Sequence, residues 1–442
     1  MFRFIIRSLL FIAVSLQAES LPPLSQVDQA VHVALERAPQ LSAMAAKQAA
    51  FQAQREAADR LPNPEVSLQL LNLPVNSFDL AQEPMTQVQL AIVQPLNRGD
   101  SVAISQSLWQ QKAWQTELGL ADYRAKLSRT VHLLWIELYR MRQHLLIIDE
   151  TRELLTQGES VVNARYSSAL AGARQGDILK AQLELSRLHE RRLLTEQRMA
   201  TLQVELRRWL GDDVIIADTM VLPNLALTPM NDGALGTLSN SAIIAQLMQH
   251  PYMQILARET EIKKLQKALT EQDDKPQWKF SASYGHRQDD LMGDSRDDFF
   301  SIGVRFDLPL FNEGQNHRAQ QAAQYQVKMS QYNLKDELNR WTQEVKSLEQ
   351  TISSLTERQT LFTTKLLEQA LQNADAALTA YTNDDGDFSA VIQANIDRFS
   401  IKQQKIDVDI ELAKAKVSWN YYMTVKHVGP ALSAPREDQV HD

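Results

Sequence analysis

Apolar and polar residues alternate along this chain with two periods, one typical of helices and one typical of strands. The helical period is clearest between Ser101 and Tyr166, where apolar residues return every three or four positions and so lie on one helix face. The members of this row are Val131, Leu134, Leu138, Met141, Leu145 and Ile148. A helix of about 65 residues is roughly 100 Å long at ~1.5 Å per residue. Helices of this length usually need a partner along their apolar face, so the pattern predicts coiled-coil packing.

Two long runs without proline indicate that such helices occur twice. No proline lies between Leu96 and Leu222, or between Leu310 and Gly429. Each run is interrupted once by a stretch rich in glycine or aspartate, around Gly172 to Gly176 and around Asp384 to Asp387. We therefore expect two long helical hairpins. Their four helices are predicted at about 101–166, 178–210, 316–380 and 388–425.

A period of two residues marks four short segments, and such alternation predicts strands with one apolar and one polar face. The apolar positions are Val66, Leu68 and Leu70; Val88, Leu90 and Ile92; Trp278, Phe280, Ala282 and Tyr284; and Phe300, Ile302, Val304 and Phe306. The polar segments Asn72 to Glu83 and Gln288 to Arg296 would connect these strands into two hairpins.

These strands could form a half-buried sheet on a soluble core or a sheet that faces lipid. The second interpretation is favoured, because the predicted helices are already committed to each other and the apolar positions are rich in aromatic residues. Four strands cannot close a barrel, since single-chain barrels begin at about eight strands. Open sheet edges in lipid cost several kcal/mol for each unpaired backbone group. Membrane strands of this kind would therefore require several copies of the chain to share one barrel.

The second half of the chain repeats the first. The matching segments are Ala38–Leu41 and His250–Met253, Pro62 and Pro276, Gln94–Leu96 and Leu308–Leu310, and Gly176 and Gly386. Their nearly constant offset predicts an internal duplication. The first unit would span residues 21–237 and end in a linking segment, the second would span 238–428, and residues 429–442 would form a tail.

The N-terminus and the composition indicate the compartment. Residues 1–20, MFRFIIRSLLFIAVSLQAES, place Arg3 and Arg7 before an apolar run and small residues after it, which predicts a secretory signal peptide. The alternative is an N-terminal membrane anchor, for which the run is too short. The net charge of -8 argues against a nucleic-acid partner. The chain has no cysteine, which excludes disulfides and thiolate metal sites.

Motifs for catalysis are absent from the sequence, which contains no HExxH, GxSxG, Walker A loop or GxGxxG. The nine histidines are scattered without ligand spacing on one helix face. We therefore expect no enzymatic activity, no catalytic residue, no cofactor and no metal site. The sequence argues against two classes of function. An exported enzyme is disfavoured by the missing motifs, and a non-conducting periplasmic coiled-coil scaffold or surface fibre fits the duplicated hairpins poorly.

Several features together carry a resemblance to a known family. They are the duplicated order of helix, strand hairpin and helical hairpin, the stretch RYSSALAGARQGDILKAQLEL from Arg165, the early APQL from Ala38, and the proline-led strands after Pro62 and Pro276. In these features the chain resembles the TolC family of bacterial outer-membrane efflux proteins over nearly its whole mature length. The resemblance implies a mixed, mainly α fold in a homotrimer. Each protomer would give four strands to one shared 12-stranded transmembrane β-barrel, and the long helical hairpins would form a periplasmic α-barrel.

The resemblance also implies the function. The protein would be a passive conduit of a tripartite efflux system, in the outer membrane and extending into the periplasm. Its implied partners are a periplasmic adaptor (membrane fusion) protein, an inner-membrane efflux pump and outer-membrane lipid. Residues 72–87, NLPVNSFDLAQEPMTQ, are similar to members associated with heavy-metal export, so metal cations are favoured slightly over drugs as cargo.

Candidate gate residues lie in the break of the second hairpin, where Asp384, Asp385 and Asp387 surround Gly386. Family members constrict the pore at this end with carboxylates just inside the following helix. The matching positions here are about Ala390 and Gln393, which are not acidic, so the hypothesis moves the cation-attracting ring to the turn. The alternative is ordinary turn chemistry with an aspartate cap, and the two are compatible.

Candidate adaptor contacts lie at both hairpin tips. They are Tyr166, Arg165, Arg174 and Gly176 in the first hairpin and Tyr381 and Gly386 in the second. For any one of the charged residues among them, a solvated tip position is an equally acceptable interpretation.

Overall fold

The computed structural model describes residues 23–167, 175–228, 239–308, 313–383 and 385–426 of the 442. Its helices are α1 (Val27–Glu36), α2 (Pro39–Ala57), α3 (Ser101–Ser167), α4 (Gln175–Leu210), α5 (Asn240–Leu247), α6 (Pro251–Gln272), α7 (Glu313–Leu361), α8 (Leu367–Thr382) and α9 (Phe388–Tyr422). Its strands are β1 (Glu65–Leu71), β2 (Gln87–Pro95), β3 (Trp278–His286) and β4 (Phe299–Phe306). The predicted signal peptide, the first hairpin tip at 168–174 and the C-terminal tail lie outside the described residues.

The predicted mainly helical architecture with four strands is confirmed. Helix α3 has 67 residues and agrees closely with the predicted 101–166. The order of elements from α1 to α4 recurs from α5 to α9, with one difference: a π-helical turn, Phe362–Leu366, lies between α7 and α8. The duplication itself stays an inference from the sequence. Within the described part of the chain, no helix has both the length and the apolar character needed to span a membrane.

The four strands form one antiparallel sheet in the order β1-β2-β3-β4. Its register aligns the apolar positions across all four strands, as in the row Leu68, Leu90, Tyr284 and Phe300. These side chains are uncovered: Leu68 is 73% exposed and Phe300 is 72% exposed. Strands β1 and β4 are the two edges, so the backbone groups on their outer sides are available to a further strand.

The described chain divides into two compact units. The first comprises the described parts of Met1–Ala38, Leu127–Ala226 and Ser354–Val417. Its core contains residues of α3, α4, α8 and α9, namely Ile148, Leu155, Val162, Ala181, Leu188, Tyr381, Phe388, Val391, Ile392 and Phe399. Both predicted helical hairpins thus contribute to one apolar core, and coiled-coil packing stays a prediction.

An ion pair connects the segment after α1 to the segment after α4 in this first unit. The Arg37 guanidinium donates to both carboxylate oxygens of Asp213, at 2.5 and 2.8 Å. The hydrogen bond from Arg37 is the main reason why the pKa of Asp213 is lowered to about 2. A parallel bridge between Leu24 and Ile216 lies close by.

The second unit comprises Pro39–Lys126, the described parts of Leu227–Ser353, and the described residues from Ser418. It contains the sheet and an aromatic cluster in which His250 contacts the rings of Trp341 and Tyr421 at centroid distances of 4.8 and 5.0 Å. Arg258, only 2% exposed, lies 5.0 Å from the ring centre of Trp114 and donates to Gln111. His250 and Arg258 are thus both buried polar side chains that contact aromatic rings.

Candidate functional site

The turn between α8 and α9 carries the predicted gate residues. Helix α8 ends at Thr382, and α9 begins at Phe388. The side chains of Asp385 and Asp387 are both exposed, and Asp384 lies outside the described residues. The turn therefore presents at least two carboxylates to solvent, as the hypothesis of a carboxylate ring requires.

Backbone hydrogen bonds show how these aspartates also shape the turn. The amide of Asp385 donates to the carbonyl of Ala380 at 3.0 Å, which closes the end of α8. The carbonyl of Asp387 accepts from the amide of Ala390 at 3.0 Å, in the first turn of α9. Gly386 lies against the end of α8, because a Cβ atom there would be 3.1 Å from the Cβ of Ala380. A side chain at Gly386 would thus push the turn away from the helix.

Two aromatic residues anchor this turn to the core of the unit. Tyr381 and Phe388 are each 4% exposed, and their ring centres are 5.3 Å apart. The Phe388 ring lies so close to α3 that a Cβ at Gly158 would be 3.1 Å from it. Tyr381, predicted as an adaptor contact, therefore packs inside its own unit and leaves little surface for a partner.

The other predicted tip residues are distributed around the first hairpin. Tyr166 is 49% exposed near the end of α3. Gly176 lies in the first turn of α4, where a Cβ would meet nothing within 4 Å. Arg174 and the side chain of Arg165 lie outside the described residues. Tyr166 and Gly176 thus remain available as contact positions on the surface of the unit.

Ionic contacts between the two hairpins are the main feature that the sequence did not reveal. Glu150 on α3 accepts from Lys402 on α9 at 2.6 and 2.7 Å and lies 3.4 Å from Arg398. One turn above the tip, Lys180 on α4 donates to the hydroxyl of Ser389 at 2.7 Å. These contacts connect α9 to both helices of the first hairpin.

A second group of charges joins α3 and α9 farther along the same unit. His144 and Arg140 lie 3.2 and 3.8 Å from Asp407, and Glu137 pairs with Lys414. The i, i+4 spacing of Arg398 and Lys402 places both on one face of α9, which was the available sequence signal. Their partner could not be inferred, because it lies about 250 positions earlier.

Comparison with solved structures identifies the architecture. CusC, from a study of transmembrane channel formation, superposes with a TM-score of 0.75 at 16% identity, covering 91% of this chain and 92% of that chain. VceC, an outer membrane protein of Vibrio cholerae, gives a TM-score of 0.72 at 14% identity, covering 90% and 95%. The CmeC outer membrane channel of Campylobacter jejuni gives 0.71 at 12% identity, covering 90% and 85%.

The chain has the fold of outer-membrane channel proteins. No protein-family model and no curated protein matches the sequence. The likeness therefore lies in structure and extends over nearly the whole of both chains. In this outer-membrane channel fold, the coarse prediction from the sequence is confirmed: a mainly helical chain with one four-stranded antiparallel sheet.

Proposed function

We propose that this protein is the outer-membrane channel of a tripartite efflux system. It would be a passive conduit that carries cargo from an inner-membrane pump and a periplasmic adaptor across the periplasm and the outer membrane. One observation carries the proposal: the chain aligns over nine-tenths of its length with outer-membrane channels. Its sheet also has an uncovered apolar face. A soluble sheet would bury such a face, whereas a membrane sheet presents it to lipid.

Three copies would complete the membrane part. Each sheet has two open edges, and unpaired backbone groups in lipid cost several kcal/mol each. Pairing of β4 of one copy with β1 of the next removes these edges, and three copies give the 12-stranded barrel. The helices of the same copies would form the periplasmic α-barrel. Transport energy would come from the pump, so this chain needs no catalytic residue and no cofactor.

The turn at Asp384, Asp385 and Asp387 is proposed as the carboxylate ring of the periplasmic gate. Three copies would bring up to nine carboxylates together, which attracts cations. The proposed adaptor contacts at the hairpin tips remain Tyr166, Arg165, Arg174, Gly176, Gly386 and Tyr381. Because Tyr381 is buried, it would contribute by stabilising the turn that contacts the adaptor. Metal cations are the proposed cargo, on the basis of the resemblance of residues 72–87.

Single-channel conductance in a planar bilayer tests this function. The wild-type oligomer should give a small, cation-selective conductance. The variant Asp384→Asn/Asp385→Asn/Asp387→Asn should lose part of the cation selectivity, because the fixed negative charge near the pore is removed. A matched control, Glu190→Gln/Glu205→Gln/Asp212→Asn, removes the same number of exposed carboxylates outside the turn and should conduct like the wild type.

The outcomes separate the alternatives. A conductance that is unchanged in the triple aspartate variant would retain the channel and reduce these aspartates to turn residues. Well-folded oligomers that never conduct, even after loss of the turn carboxylates, would favour the non-conducting scaffold over the conduit.

A further inference from the structure

The charged residues of the four strands lie on one face and at one end of the sheet. The strands contain one acidic residue, Glu65 of β1, and two strongly basic ones, Lys279 of β3 and Arg305 of β4. The register places Lys279 directly opposite Arg305, and Glu65 lies on the next row of the same face. All three occupy the polar face, at the end of the sheet where the strands join the helices.

Uncharged side chains, most of them short, cover the rest of this polar face. One complete row across the four strands consists of Ser67, Ala91, Ser283 and Ser301. The hydroxyl of Ser281 donates to the carbonyl of Gly303 at 3.2 Å. Gln89 donates to the hydroxyl of Ser283 at 3.1 Å. Because these neighbours are shorter and bonded to one another, the long side chain of Arg305 extends beyond them and is exposed.

Ion pairs compensate much of the charge at this end of the sheet, but they do not include Arg305. The pairs are Glu65 with Lys279, Asp307 with Arg98, and Asp100 with Lys275. Within the described part of the chain, Arg305 forms no ion pair of this kind. On the strands themselves, the basic side chains therefore exceed the acidic one by one unit charge in each copy.

We propose that Arg305 forms a cationic ring inside the barrel, which attracts anions and repels free cations at the periplasmic end of the membrane part. The inference rests on the proposed function, since the polar face lines a lumen only when several copies close the barrel. Three copies would place three Arg305 side chains at one level, each beside a compensated pair of Lys279 and Glu65. Metal cargo would therefore pass this level more readily as a neutral or anionic complex than as the free cation.

The dimensions of a shared barrel make this charge effective. Twelve strands about 4.8 Å apart and tilted by about 40° close a barrel with a radius of roughly 12 Å. The side chain of Arg305 reaches inward from that wall, so its guanidinium lies within about one Debye length of the axis at about 0.1 M salt. Three unit charges at roughly 10 Å change the concentration of a monovalent ion at the axis by about twofold.

The ratio of K⁺ to Cl⁻ permeability tests this ring. It would be measured from the reversal potential of the purified oligomer in a planar bilayer, in a KCl gradient centred near about 0.1 M. Arg305→Gln should raise the ratio at least about twofold, because the excess positive charge is lost. Arg305→Lys retains the charge and should keep the wild-type ratio. Ser301→Lys adds a positive charge to the same strand and face, and should lower the ratio.

Two comparisons separate the ring from other charges. The matched control is Arg207→Gln, which removes an exposed arginine from α4, in the other unit, and should leave the ratio unchanged. The change at Arg305 would also be made in the variant Asp384→Asn/Asp385→Asn/Asp387→Asn. The shift should persist there, because the ring acts independently of the carboxylates proposed for the gate.

The outcomes distinguish this inference from the proposed function. Conducting oligomers with equal ratios in the wild type, Arg305→Gln and Ser301→Lys would overturn the ring and leave the channel standing. An equal shift in Arg207→Gln would also overturn the ring, because any surface charge would then have the same effect. If Arg305→Gln does not assemble, the ratio of Ser301→Lys decides. Folded wild-type oligomers that never conduct would overturn both proposals.

Discussion

His250 begins helix α6 and lies fully inside the second unit, with 0% of its surface exposed. Its Nδ1 accepts from the amide of Tyr252 at 3.0 Å, so the ring is the N-cap of the helix. Burial, and to a smaller extent the charge of Lys126, lowers the pKa of His250 to about 3. The imidazole ring of His250 is therefore neutral in the folded unit at neutral pH.

This burial predicts an acid-dependent loss of stability. The unfolded chain takes up a proton on His250 near pH 6.5, whereas the folded chain does so only near pH 3. Between these values, acid favours the unfolded state by at most about 1.4 kcal/mol per pH unit. The variant His250→Asn can still cap α6 but cannot titrate. It should be less stable at neutral pH, because the ring contacts with Trp341 and Tyr421 are lost, yet its Tm should fall less on acidification.

Thermal unfolding at about pH 7 and about pH 5 would measure this difference in slope. His189→Asn, at an exposed histidine of α4, is the control and should retain the wild-type slope. An equal slope in the His250→Asn variant would contradict a neutral buried ring.

At the scale of elements, the π-helical turn between α7 and α8 corrects a phase error in the apolar row. Above the turn, buried or half-buried positions follow spacings of three and four in the row Ile352, Leu355, Gln359, Phe362 and Leu366. Below it, the row continues at Ala370, Ala374, Ala377 and Tyr381. From Phe362 to Ala374 the spacing is four, four and four. The row below the turn therefore lies one residue later than continued alternation of three and four would place it. A π turn holds one extra residue and keeps both rows on one face.

Threonine hydroxyls support this turn. Thr360, Thr363 and Thr364 each donate to the carbonyl four residues earlier, at 2.8 to 3.0 Å. Such bonds occupy carbonyl groups whose helical partners are displaced where the turn widens. All three side chains are exposed, so they stabilise the backbone without contributing to the core.

Deletion of Thr364 should therefore be tolerated. The deletion removes the extra residue and brings the lower apolar row into phase with the upper row. The segment should then become regular α-helix. Deletion of Ser354, an exposed residue in α7, shifts the row above the turn without correcting anything and should lower the Tm strongly. Thermal unfolding of the two purified variants tests this contrast. The phase account would be wrong if both deletions had the same effect.

Local periodicity explains how much of the fold the sequence could predict. Helix α3 and the four strands were predicted because each is encoded by neighbouring residues with one uninterrupted period. The π turn was missed because Leu366 and Leu367 are both apolar, which hides a one-residue phase shift. The burial of Tyr381 and the ion pairs of Glu150 depend on residues distant in sequence, and a single sequence carries no record of such pairs.

At the scale of the whole molecule, function as a gated conduit would require the α8–α9 hairpin to move relative to the α3–α4 hairpin. Within the first unit, Lys402 and Arg398 of α9 hold Glu150 of α3. These side chains are partly exposed, so each pair stabilises the contact by only about 0.2–1 kcal/mol. If the proposed gate exists, contacts of this size would hold its closed state without making that state permanent.

Loss of the Lys402 contact should therefore favour the open channel. Lys402→Gln should raise the mean conductance of the purified oligomer, since Glu150 retains only the longer contact with Arg398. Lys405→Gln is the matched control: Lys405 is on the same helix, but it pairs at 2.5 Å with Asp409 of α9 itself and does not cross to the other hairpin. Its conductance should equal that of the wild type.

High salt weakens exposed ion pairs, so the difference between Lys402→Gln and the wild type, after correction for bulk conductivity, should shrink as salt is raised. A difference that is independent of salt, or equal in the two lysine variants, would show that the contact between hairpins does not hold the channel closed.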